Sequence, residues 1–164
     1  ELDIEEFMEE RDRVMEEVKR TYELVDAYKE STPIVTPIWD TTERSIQFND
    51  INHEILEAGI YIYTAPNEDV WRGIYKPEIY GKDTLWESVH DSGKIARVIE
   101  AWQGSIALSP LFFVKHGSRD VALVADGKHR LTVARYMRCE NIPFMVQSNK
   151  SAWVKSAIPS ARKI

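Results

Sequence analysis

A single cysteine, Cys139, occurs among 164 residues. No intrachain disulfide can form within this stretch, and such sparing use fits a reducing compartment. No apolar run approaches the roughly 20 residues that a bilayer-crossing helix needs. The opening Glu1-Leu2-Asp3 has none of the features of a signal peptide. The expectation is a cytoplasmic protein with no membrane partner. The four histidines, His53, His90, His116 and His129, are widely spread, and none pairs with Cys139 or another histidine at zinc-ligand spacing. His53-Glu54 lacks the second histidine of a zincin helix, and there is no Walker-type loop, dinucleotide fingerprint or nucleophile elbow.

What is present argues for a folded globule. Hydrophobic residues make up 43% of the chain, five of them tryptophan, and the length suits one domain with a real core. The net charge of −6 hides a division. Residues 1–30 carry twelve acids and five bases, and residues 31–93 carry eleven and four. Residues 94–164 reverse the balance, with four acids and twelve bases. A basic C-terminal segment suits a nucleotide, a phosphorylated substrate or nucleic acid. Opposite charges that neutralise each other across an internal interface account for it equally well.

Three stretches follow from the pattern. Residues 1–31 read as one acidic helix, with Ile4, Phe7, Met8, Met15, Val18, Tyr22, Val25 and Tyr28 recurring at steps of three or four. Asp3 is its cap and Ser31-Thr32-Pro33 its end. The apolar stripe is expected to pack on the rest of the domain, with a homodimer seam as the alternative. Residues 32–93 are harder to assign and are expected to pack on the core. They hold a Pro-interrupted edge strand at 34–39, a short helix at 48–58 capped by Asn49 or Asp50, and a strand at 60–63. The aromatic residues here, Trp39, Tyr61, Tyr63, Trp71, Tyr75, Tyr80 and Trp86, suit packing more than base stacking. Residues 94–164 end in a basic tail, with Lys150, Lys155, Arg162 and Lys163, expected to be frayed and solvated.

The last segment also contains Asp126-Gly127-Lys128-His129-Arg130. Upstream, Val121-Ala122-Leu123-Val124-Ala125 reads as a buried strand, and downstream Leu131, Ala134 and Arg135 fall at helical spacing. The five residues therefore turn a strand into a helix. Glycine lets the backbone approach a ligand closely, and free amides at a helix start favour an anion. Lys128, His129 and Arg130 add three donors, and a guanidinium can grip phosphate bidentately. A plain Asp-Gly turn with Asp126 as helix cap is the competing reading, but it leaves a cationic first turn set against the helix dipole.

The wider order of features has a parallel. A helix from Lys94 to Gly104 precedes Ser109-Pro110-Leu111-Phe112-Phe113-Val114, and the turn His116-Gly117-Ser118-Arg119 follows. Then come the strand, the glycine turn, the helix and Ile142-Pro143-Phe144-Met145-Val146. This succession resembles the ParB/sulfiredoxin-type nucleotide-binding domain over about a third of the chain. Sulfiredoxins carry cysteine directly before the His-Arg pair, where Lys128 stands here, so sulfinic-acid reduction is not expected. Partition proteins usually have Glu-Arg-Arg after the glycine. The Asp-Gly-x-His-Arg form is closer to the ParB-like nuclease, ATPase and free-serine-kinase branches and to related proteins of DNA modification systems.

The resemblance implies an α+β fold with a small mixed sheet flanked by helices behind the long N-terminal helix. It also implies ATP or ADP, with CTP as a further candidate, bound with Mg²⁺ at Gly127, Lys128, His129 and Arg130. Asp126 and His129 would be the catalytic pair if phosphoryl transfer or nucleotide hydrolysis occurs, toward a small-molecule or nucleic-acid acceptor. Glu43, Asp50, Glu54 and Glu78 are unplaced candidates for a second carboxylate. The alternative is a nucleotide-sensing or DNA-binding accessory, without chemistry, of a partition, modification, phage or plasmid system. A third possibility is an empty remnant pocket beside an acidic helix that binds a protein.

Overall fold

A computed structural model gives the positions of residues 3–47 and 51–164. The first helix, α1 (Ile4–Glu30), starts where an acceptor is available for its free amides. The Asp3 carboxylate takes the N–H of Glu5 at 3.0 Å and of Glu6 at 3.5 Å. Among the described residues, the second half of α1 packs against α5 (Ser92–Gln103). Val25 is buried there, and the Tyr28 hydroxyl donates to Gln103 Oε1 at 2.9 Å. The expected packing face is otherwise open, with Phe7 57% and Met15 58% exposed. Length explains the difference. The 12 residues of α5 span roughly 18 Å against about 40 Å for the 27 of α1, so α5 covers less than half of it.

The middle segment departs from expectation in three places. Residues 34–39 form no strand. One isolated bridge joins Trp39 to Leu108, and Pro33 and Pro37 have no N–H to sustain a ladder. A five-residue helix, α2 (Glu43–Gln47), is too short to leave a periodic signal. The next helix, α3 (His53–Ala58), is capped by Asn52, whose side chain accepts the Glu54 N–H at 2.8 Å. The expected caps Asn49 and Asp50 lie outside the described residues.

Strand β1 (Ile60–Pro66) then leads into α4 (Asn67–Gly73) and a 3-10 turn at Pro77–Tyr80. Beyond α5 come β2 (Leu111–Lys115), β3 (Ala122–Asp126), α6 (Lys128–Tyr136), β4 (Asn141–Gln147), α7 (Val154–Ala157) and β5 (Arg162–Lys163). The fold is α+β, with one mixed sheet in the order β3-β2-β4-β1-β5. Strand β2 runs parallel to β4, and the other pairings are antiparallel. β1 therefore sits inside the sheet, and residues 32–93 share one core with residues 94–164. The basic tail is not frayed: Trp153 and Ile158 are buried, and Lys163 pairs with Tyr63. Among the described residues no helix is long and apolar enough to cross a membrane.

Ile95, Ile99 and Trp102 of α5 and Leu131, Val133 and Ala134 of α6 bury into one cluster with Leu111, Phe113 and Phe144 of the sheet. Several of the aromatic residues of the middle segment pack, as expected. Trp39 meets Trp102 edge-on at 5.2 Å, Tyr63 stacks on Phe144 at 5.6 Å, and the Trp71 indole donates to Pro77 O.

One charge lies deep in this core. Arg135, 2% exposed, donates to Tyr80 O at 3.1 Å, to Glu68 Oε1 at 3.2 Å and to the Asn67 amide oxygen, tying α6 to α4. A buried guanidinium that loses an acceptor keeps its desolvation cost. Asn67→Ala is expected to lower stability by about 1–3 kcal/mol in urea unfolding, without change in the helical circular dichroism of the folded protein.

Candidate functional site

Gly127 joins β3 to α6 with φ 93° and ψ 19°, in the left-handed region. A Cβ there would lie 2.8 Å from Arg130 Nη2 and 2.9 Å from Leu111 Cδ2. The positive φ favours glycine, and a Cβ would also push against the ends of these two side chains. The first helical bond of α6 runs from Leu131 N–H to Gly127 O at 2.9 Å. The amides of Lys128, His129 and Arg130 precede it, and no side chain caps them. Asp126 does not act as the cap. Its Oδ2 lies 3.5 Å from Arg130 Nη2, one helical turn on.

These residues form one wall of a cleft of about 490 Å³. The other wall comes from α5, through Lys94, Arg97 and Val98. Four cationic side chains, Lys94, Arg97, Lys128 and Arg130, therefore face one carboxylate, Asp126. All five residues of the sequence motif line the cleft. Lys94 and Arg97 were not anticipated as site residues, although their place in a helix of the basic segment was readable. Glu43, Glu54 and Glu78 do not line it, and Asp50 lies outside the described residues.

Arg130 is the least satisfied member. Its side chain is 19% exposed, and its Nη2 reaches Pro110 O at 3.4 Å and Asp126 at 3.5 Å, both at the long limit of a polar contact. Its Nε is buried without any partner. Burial pulls the guanidinium pKa down and Asp126 pulls it up, yet an arginine keeps its charge.

His129 has another task. Its Nε2 accepts the backbone N–H of Asp91 at 3.2 Å, so the ring proton sits on Nδ1. Asp91 in turn caps α5, its carboxylate accepting the Lys94 N–H at 3.1 Å. The imidazole thus pins the start of α5 to the start of α6 and sets the distance between the walls. Burial, with Lys128 and Lys94 beside it, lowers the His129 pKa to about 4. At neutral pH the ring is uncharged and offers a ligand only the Nδ1–H. His90, 6.3 Å away, is also depressed by burial, and its Nε2–H donates to Ile79 O.

Cys139 lies beyond the end of α6, in the turn before β4, rather than within the helix. Burial raises its thiol pKa, and it lines no part of the cleft. Among the described residues no group of three His, Cys, Asp or Glu side chains could hold a metal ion. Asp126 alone fits a Mg²⁺ that arrives already coordinated by phosphate oxygens. No family model, curated protein or solved structure matches the chain.

The histidine contact has a pH signature. An unfolded histidine takes up a proton near pH 6.5 and the folded His129 near 4, so the contribution is complete above 6.5 and is lost as pH falls toward 4. Between pH 7.5 and 5 the loss is expected to be roughly 2 kcal/mol. His129→Gln, which keeps an acceptor for Asp91 but cannot titrate, should remove most of it, with His90 supplying a residue of the same sign. Urea unfolding at the two pH values measures the difference. An unchanged loss in His129→Gln would show that the imidazole does not carry it.

Proposed function

We propose that the chain is a ParB/sulfiredoxin-like domain that binds the phosphates of a nucleotide in the cleft between α5 and α6. The observation that carries this reading is Arg130: a mostly buried guanidinium with an orphaned Nε and two long contacts, set under a glycine turn beside uncapped helix amides. A buried charge held so loosely is costly unless a further anion completes its shell. A phosphate group supplies the oxygens and the charge that both Arg130 and the helix start lack. Lys128 and Lys94, exposed at the mouth, add charge without fixed partners. A volume of about 490 Å³ is that of a small-molecule site rather than of a nucleic-acid channel.

The site favours binding over transfer. Phosphoryl transfer needs a carboxylate free to orient or deprotonate the acceptor. Asp126 is the one carboxylate among the described residues that line the cleft, and it faces Arg130. His129 is neutral and committed through Nε2. A nucleotide-sensing module therefore accounts for the residues better than a kinase or hydrolase does. Mg²⁺ would enter with the phosphates and meet Asp126. ATP and ADP are the ligands of first choice.

Calorimetry with ATP, ADP, AMP and adenosine tests the reading. Affinity should rise with the number of phosphates and vanish for adenosine. Arg130→Met should weaken ATP binding by roughly 1.5–3 kcal/mol. It should leave the melting temperature unchanged or raised, because an apolar side chain of similar length replaces a poorly paired buried charge. Equal affinity for adenosine and ATP, or a lowered melting temperature with unchanged affinity, would remove the phosphate site.

A further inference from the structure

Arg97 belongs to two arrangements at once. It lines the cleft from α5, and it is also the contact through which α1 meets that helix beside the site. Both of its bonds leave from one nitrogen: Nη2 donates to Glu17 Oε1 at 2.6 Å and to Thr21 Oγ1 at 2.8 Å. Next to them Gly93 lets α1 lie close, since a Cβ there would come within 3.0 Å of Thr21 Cγ2. Glu17 is 58% and Arg97 39% exposed at the side chain, so the pair is screened and weakly held. The carboxylate is nevertheless held ionised, its pKa lowered first by the Arg97 bond.

We infer that Arg97 is a further phosphate-binding residue of the cleft and that Glu17 of the acidic helix competes with the ligand for it. The inference rests on the phosphate-binding reading above. A phosphate gripping the other edge of the same planar guanidinium would stand roughly 5–6 Å from the Glu17 carboxylate, and like charges at that range repel. A phosphate taking Nη2 would displace Glu17 outright. Either way the docked acidic helix holds anion affinity down. By linkage, a bound anion loosens the docking of α1 by the same factor. The rest of the attachment, Arg20 to Glu100 at 3.2 Å and Tyr28 to Gln103, lies farther along α5 and does not involve the cleft.

Inorganic pyrophosphate titrated into the whole chain by calorimetry tests this. Glu17→Gln keeps an acceptor for Arg97 and removes only the charge. It should tighten binding about two- to fivefold, the equivalent of one exposed ion pair. In an Arg97→Ala background the same substitution should change affinity by less than about 1.5-fold, which separates competition for Arg97 from a general loss of negative charge. Glu23→Gln, on the same helix, should likewise do little. Unchanged or weaker binding by Glu17→Gln overturns the inference, as does equal tightening with and without Arg97. In both of those cases the wild type still binds, so the phosphate site stands. If neither wild type nor Glu17→Gln binds pyrophosphate, the phosphate site itself falls and takes the inference with it.

Discussion

The left-handed turn at Gly127 is the constraint on which the rest of the site depends. The backbone must leave β3 and enter α6 within one residue, and Arg130 Nη2 and Leu111 Cδ2 occupy the space where any Cβ would go. Glycine therefore does two things at once. It permits the positive φ, and it lets a guanidinium fold back beneath the turn instead of reaching into solvent. With Arg130 there, Asp126 faces the arginine and leaves the helix amides uncapped. The start of α6 is thus left without a side-chain cap, beside a mostly buried guanidinium. The His129 contact to Asp91 then locks the opposite wall in place.

The division of charge along the chain has a structural counterpart. The acidic α1 meets the basic segment on α5, through Glu17 with Arg97 and Arg20 with Glu100. The second pair has reversed polarity, so the helices do not simply attract as an acidic rod on a basic surface. They interlock through specific partners that also fix the register. Exposed pairs of this kind each contribute little. Val25 and the Tyr28 hydrogen bond supply the remaining anchorage, and the first half of α1 stands clear with its apolar stripe uncovered.

How legible this was in the sequence varies with the kind of signal. Elements with strong periodicity or clear caps were readable: α1 from Asp3, α5, the hairpin of β2 and β3, the turn at Gly127, α6 and β4 all fall within a few residues of their expected places. The middle segment was readable only in part: the strand at 60–63 and the helix ending at 58 are found as β1 and α3, whereas its other elements are held by partners distant in sequence. Residues 34–39 look like a strand by composition, yet Pro37, with Pro33 just before the segment, denies them a ladder. The tail looked frayed because its lysines dominate, whereas Trp153 and Ile158 anchor it and β1 offers an edge. The motif residues that line the cleft were readable as a group because they are contiguous. Lys94 and Arg97 were not, since their membership depends on how α5 crosses α6. The role of His129 was hidden as well: a histidine in a cationic turn suggests a phosphate donor, and only the Asp91 amide lying against Nε2 shows that half of the ring is already used.

Strand order also separates the cations of the basic segment. The glycine turn leaves the end of β3, at one edge of the sheet, while Arg162 and Lys163 form β5 at the other. Four strand spacings, roughly 19 Å, separate them. The twelve bases of residues 94–164 are thus not one patch. Some line the cleft, Arg135 is buried in the core, and Arg162 and Lys163 lie at the far edge. A polymer backbone tracking across the domain would need a continuous positive path, and its affinity would grow with each phosphate neutralised along that path. A compact ligand needs only a cluster whose cations converge within a few ångströms. Lys94, Arg97, Lys128 and Arg130 line a single cleft with uncapped amides at its base, which is the arrangement that concentrated charge on a small molecule requires.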